Sequence, residues 1–164
     1  MSQYNAQYWI NTLALEPHPE RGYYREVYRS SGSFTPNEIG AERTYATSIY
    51  FLIERDNVSH FHSIKQDELW FYHAGAALSV YAISSSGALD EIVIGRETDK
   101  GQVLQAVISA GAIFGSKSTG DYSLVSCVVA PGFDFRDFIL YPKKDLMERF
   151  PQLLDIIQEL GYDK

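Results

Sequence analysis

His60 and His62 flank Phe61, and Glu68 follows after the turn-like stretch from Ser63 to Asp67. Residues two apart on a β-strand point to the same face with Cα atoms roughly 6–7 Å apart, so both imidazoles are expected to reach one point. Glu68, opening the next strand, brings a carboxylate to them. Such a trio can hold a divalent cation, move a proton beside a carbonyl, or orient a small ligand without turnover. His62 and His60 are therefore the candidate catalytic residues, and His60, His62 and Glu68 the candidate ligands of one divalent metal ion. The same histidines also fit a structural reading, bonded to backbone while Phe61 fills a core, and Glu68 fits an edge carboxylate beside Asp67.

Glu68, Trp70 and Tyr72 alternate along one strand face and are candidate ligand-binding residues, as are His18 and Glu20 just before the first long strand. His73 falls on the face opposite Glu68 and is expected outside the pocket. Tyr24, Glu26 and Tyr28 share a face of the first strand and are read as packing. The neighbours Asp67-Glu68 and Asp90-Glu91 point to opposite faces, so neither pair makes a carboxylate dyad. No serine elbow, phosphate loop or dinucleotide fingerprint is found.

The elements that must position these groups are mostly strands. Strand signals run over Tyr23 to Arg29, Thr44 to Ile53, Glu68 to His73, Ala77 to Ile83, Leu89 to Ile94, Val103 to Ile108 and Tyr122 to Val129, punctuated by glycine- and serine-rich turns. This regular spacing predicts an all-β sandwich or barrel. Ala6, Trp9, Ile10 and Leu13 predict a short N-terminal helix with Ser2 or Asn5 as its cap. Leu146, Phe150, Leu153, Leu154, Ile157 and Leu160 predict a C-terminal helix broken or kinked at Pro151. Nothing marks an internal boundary, so residues 1–164 are expected to form a single domain. Ile49–Ile53 and Leu69–Tyr72 are apolar on both faces, and two modest terminal helices look insufficient to cover them. A homodimer or higher homo-oligomer is the expected remedy.

With 21 Asp and Glu against 14 Lys and Arg, the net charge of −7 and the lack of a basic cluster argue against nucleic-acid binding. Cys127 is the only cysteine, which rules out an intrachain disulfide and a thiolate metal cage, and its apolar neighbours read as core packing. No signal peptide or membrane-length apolar run is seen, so a cytoplasmic protein with no membrane partner is expected.

Around the histidines the chain resembles the cupin superfamily, whose first motif reads His-X-His, a short gap, Glu, six residues, Gly. Glu68 to Gly75 matches that spacing, while the gap after His62 is one residue longer than the commonest and the usual upstream glycine is absent. In the second motif Phe114 stands where the family carries its last metal-binding histidine, leaving three ligands at most. Residues ~16–142 are similar to the fifth cupin family, a domain of unknown function, through His18-Pro19-Glu20-Arg21-Gly22-Tyr23-Tyr24, Asp67-Glu68-Leu69-Trp70-Phe71 and Ala130-Pro131-Gly132-Phe133-Asp134-Phe135. Many members have glycine where Arg21 stands. The resemblance implies a double-stranded β-helix with short terminal helices, dimers, and similarity to sugar-nucleotide epimerases. Two function classes follow: a sugar or sugar-nucleotide isomerase or epimerase, in which a pocket histidine removes a proton and a tyrosine returns one, or a non-catalytic small-ligand-binding barrel. A metal-dependent oxygenase is third, weakened by Phe114.

Overall fold

The structure, a computed structural model, describes residues 4–163. Its first element is α1 (Ala6–Thr12), capped by Asn5, whose side chain accepts a hydrogen bond from the Tyr8 amide at 2.9 Å. The alternative cap, Ser2, lies outside the described residues. Strands follow as β1 (Glu16–Pro17), β2 (Tyr23–Arg29), β3 (Ser33–Phe34), β4 (Arg43–Thr44), β5 (Thr47–Glu54), β6 (Ser59–Ser63), β7 (Asp67–Gly75), β8 (Leu78–Ile83), β9 (Leu89–Ile94), β10 (Gln105–Ile108), β11 (Ile113–Ser118), β12 (Tyr122–Ala130) and β13 (Ile139–Leu140). Helices α2 (Lys143–Arg149) and α3 (Leu154–Leu160) end the described fold, separated at Pro151 as the proline requires.

A six-stranded sheet, β1-β2-β5-β12-β7-β10, faces a five-stranded one, β13-β6-β11-β8-β9, in a jelly-roll barrel, with β3-β4 a separate ribbon. Between the sheets Phe51, Trp70, Leu78, Val80, Phe114 and Val125 form the main core. The apolar outer faces are covered from the termini. Helices α2 and α3 bury Phe61 and Ile83 of the second sheet under Leu146, Phe150, Ile157 and Leu160. Helix α1 covers only one end of the first sheet, packing Trp9 and Ile10 over Leu52 and Leu124. Further along that face the row Tyr28, Ser48, Val128, Leu69, Val107 stays open, with Tyr28 54% and Val107 49% exposed. The terminal helices thus cover more than their length suggests, but not everything.

Strand β11 gave no signal in the sequence, because Gly115, Ser116, Lys117 and Ser118 are weak strand formers. It nevertheless runs between β6 and β8. Two β-bulges decide where the site residues point. In β6 against β11, Phe114 pairs with His62 and Ser116 with Ser59, so three steps on one strand oppose two on the other. Gly115 makes room for this bulge: a Cβ there would stand 2.9 Å from the Ser59 carbonyl oxygen and 3.2 Å from the Phe61 amide. In β2 against β5 the register shifts between Glu26 and Tyr28. Tyr28 therefore leaves the face of Tyr24 and Glu26, where strict alternation would have kept it, and Arg29 takes its place on the inner side.

Candidate functional site

A cavity of about 500 Å³ lies against the inner faces of β2, β5, β6, β7 and β12 and is closed on one side by residues 133–138. Its polar floor comes from three places. The tight turn from His18 to Gly22, closed by His18 N–H to the Gly22 carbonyl at 3.0 Å and Arg21 N–H to the His18 carbonyl at 2.9 Å, delivers Glu20. Arg21 sits in the left-handed region at φ 76°, which a side chain adopts at a cost of roughly 1–2 kcal/mol, and this is why glycine suits the position. Its guanidinium is held by the Asn57 side chain at 3.1 Å and the Asp56 carbonyl at 3.3 Å. Strand β6 supplies Ser59 and His62, brought to the same side by the bulge, and β7 supplies Glu68.

Glu20 is the hub. Its Oε1 accepts from the Ser59 hydroxyl at 2.8 Å and its Oε2 stands 3.1 Å from His62 Nε2. His62 Nδ1 lies 2.7 Å from the His60 carbonyl, an acceptor only, so Nδ1 carries a proton. Burial drives the His62 imidazolium down to about 3. Burial, reinforced by the charge of Glu68 and only partly offset by Ser59, holds the Glu20 carboxyl well above the carboxylate range. Both shifts disfavour the ion pair, so a proton shared by the two sits on Glu20 and is donated to Nε2. His18 is likewise kept neutral, lowered to about 4 by burial. Its Nδ1 accepts from the Glu20 amide at 3.3 Å, so Nε2 bears the proton. Glu68 lines the same cavity, near enough for its charge to act on Glu20. Burial raises its carboxyl to about 7, held in check by the Trp70 indole and the Cys127 thiol beside it. Trp70 Nε1 is there without a hydrogen bond of full geometry.

The walls are aromatic. Phe133, Phe135 and Phe138 pack edge-to-face, with His18 stacked 6.0 Å from Phe135 and His62 5.3 Å from Phe138. A buried fork anchors this segment: Asp137 accepts from Arg43 at 2.8 and 2.7 Å and from Gln66 at 2.7 Å. At the rim, Arg29 donates to both oxygens of Glu26, at 2.9 and 2.7 Å.

Of the residues singled out in the sequence, His62, Glu68, His18 and Glu20 line the cavity, and His60, Trp70 and Tyr72 do not. Expected beside His62, His60 is instead turned by the bulge to the outer side, where its Nδ1 donates to the Leu160 carbonyl at 3.1 Å. Trp70 is buried beneath the floor, against Phe51 and Phe114. Tyr72 donates its hydroxyl to the Gly75 carbonyl at 2.7 Å. His73, expected on the other face, bonds Ser126 at 2.9 Å there. Cys127, read as core, is buried and also borders the cavity. Sequence reasoning missed Ser59, whose partner was unknowable, and the Glu26–Arg29 pair. Phe133 and Phe135, which in the sequence carry only the family resemblance, form part of the cavity wall.

A metal ion does not fit this donor set. His60 is on the far side of the sheet, both nitrogens of His62 are engaged, and the Phe114 ring packs 4.2 Å from the His62 ring. Among the described residues no group of three or more His, Cys, Asp or Glu could hold one.

The sequence matches the family described as cupin superfamily (DUF985) over residues 7–141. A hypothetical protein from Leishmania major superposes with a TM-score of 0.92 at 38% identity, covering 98% of this chain and 100% of its own. A crystal structure of a Shewanella oneidensis protein gives 0.92 at 40% identity, covering 99% and 100%. Oxalate decarboxylase from Bacillus subtilis shares the fold alone, with a TM-score of 0.56 at 15% identity over 90% of this chain and 37% of that one. No helix among the described residues is long and apolar enough to cross a membrane.

Proposed function

Since the chain belongs to the DUF985 family of the cupin superfamily, a fold that hosts many chemistries, its activity must be argued from the site, and we propose an isomerase or epimerase acting beside the carbonyl of a sugar-type substrate. The observation that carries this reading is the Glu20–His62 pair, 3.1 Å apart and biased by burial against forming ions, in one cavity with a Glu68 carboxyl that burial raises to about 7. Groups whose environments push their proton affinities apart are what acid–base chemistry at neutral pH needs. Glu68, ionised, takes the proton from the carbon next to the carbonyl. Glu20 turns its proton from His62 Nε2 to the carbonyl oxygen, and the Ser59 hydroxyl, which donates to Oε1, steadies the carboxylate left behind. Glu68 then returns its proton to the neighbouring carbon, or Tyr24 protonates the other face and recovers its proton from solvent while Glu68 releases its own; in either case an enol hydroxyl gives its proton back to the Glu20 carboxylate. Tyr24 borders the cavity and packs edge-on to His18 at 4.5 Å. The aromatic walls bury the apolar face of a sugar ring and exclude water.

The test is proton exchange. Aldoses, ketoses and sugar nucleotides are incubated with the protein in deuterated water, and deuterium entering beside the carbonyl is followed by NMR. Exchange with at least one of them is expected, falling ~100-fold or more in Glu20→Gln. Absence of exchange across the panel, or full activity of Glu20→Gln, would overturn the reading.

A further inference from the structure

Four carboxyl residues border the cavity, Glu20, Glu26, Glu68 and Asp134, against one guanidinium, Arg29, among the described lining residues. Arg29 is not free. Nε and Nη2 bond the two oxygens of Glu26, and Nη1 and Nη2 both reach the Phe133 carbonyl, at 3.3 and 3.2 Å, so four of its five N–H groups are taken. The pair stands at the rim, with side chains 44% and 37% exposed, whereas His62 and Glu20 on the floor are 4% and 6% exposed. Asp134 is held by Arg136 in the same forked manner, at 2.9 and 2.7 Å. His18 and His62 are neutral. A phosphate entering this cavity would meet no unpaired cation and would lie beside Glu68. Hydroxyl groups, by contrast, find carboxylate acceptors, and the C–H faces of a sugar ring find phenyl rings.

We infer that Glu26 is a specificity-determining residue: by engaging Arg29 at the rim it keeps phosphorylated ligands out, so that the site takes an uncharged sugar-type ligand rather than a sugar phosphate or sugar nucleotide. A forked Arg–carboxylate pair occupies the same donors that a phosphate would claim. This deepens the sugar-directed reading above and rests on it for the ligand class, while the exclusion of phosphate rests on Glu26 and Arg29 alone.

The experiment is calorimetric titration of the full chain with inorganic pyrophosphate at neutral pH and low salt. Wild type is expected to give no binding, Glu26→Ala to bind at least ~10-fold more tightly than any residual wild-type affinity, and Glu26→Ala/Arg29→Ala to lose the gain. Glu26→Gln, which keeps the side-chain volume, is expected to behave as Glu26→Ala, and circular dichroism checks that each variant is folded. The inference is overturned if wild type binds pyrophosphate as well as Glu26→Ala does, if neither Glu26 variant gains binding, or if the gain survives loss of Arg29. Failure here leaves the deuterium-exchange result standing, and failure of exchange leaves this titration standing.

Discussion

Replacing Glu68 by glutamine should stabilise the protein, and by an amount that depends on pH. Burial raises the folded-state carboxyl from its ordinary 4.5 to about 7. Between those values the native state holds a proton that the unfolded chain has released, so stability is full below pH 4.5 and is lost as pH rises through 7. At about 1.4 kcal/mol per pH unit between the two, the ionised carboxylate weakens the fold by on the order of 3 kcal/mol above pH 7. Glutamine keeps the shape and cannot ionise. The charge of Glu68 also raises Glu20, so its removal relaxes the Glu20 penalty and adds to the gain. Urea unfolding of both proteins, at one fixed protein concentration and from pH 4.5 upward, should show a difference that grows from its acid-limit value and levels off above pH 7. In heat the alkaline plateau corresponds to roughly ten degrees of Tm for a chain of this size. A difference that is constant with pH, or that favours wild type at alkaline pH, would refute the assignment of Glu68 as a buried, reluctantly ionised group.

Three further outcomes are expected. His60→Ala should leave deuterium exchange and ligand affinity unchanged while costing about 1–2 kcal/mol of stability, measured by chemical denaturation, through the lost bond to the Leu160 carbonyl. Gly115→Ala, whose added Cβ would press on the backbone of Ser59 and Phe61, should cost about 1–3 kcal/mol and lower exchange by disturbing the bulge that aims His62, read by denaturation and the NMR assay together. Light scattering should give at least twice the 18.6 kDa chain mass, because the open row of Tyr28, Val128, Leu69 and Val107 needs a partner surface; Tyr28→Lys with Val107→Lys should return it to monomer.

The barrel was legible because its signals are local. Alternating or doubly apolar runs bounded by turn residues mark β2, β5, β7, β8, β9, β10 and β12, and the helical spacing of Trp9, Ile10 and Leu13 marks α1, whatever lies beside them. Strand β11 was not legible, since Gly115 and Ser116 are chosen for what they adjoin and not for strand propensity. His62, Glu68, His18 and Glu20 could be named from motif spacing, but period-two reasoning assumes an unbroken strand. One extra residue in β6 sends His60 outward to helix α3 and brings Ser59, three positions from His62, to the same carboxyl. The inserted residue in β2 likewise exchanges Tyr28 for Arg29 at the cavity rim. A bulge is a relation between two strands, in β6 one that the glycine of its partner makes room for, and no single stretch of sequence carries that information. The same holds for proton affinity: residue types determined that imidazoles and carboxyls were available, but only burial of Glu20 beside the charge of Glu68 makes that carboxyl hold its proton more tightly than an ordinary one.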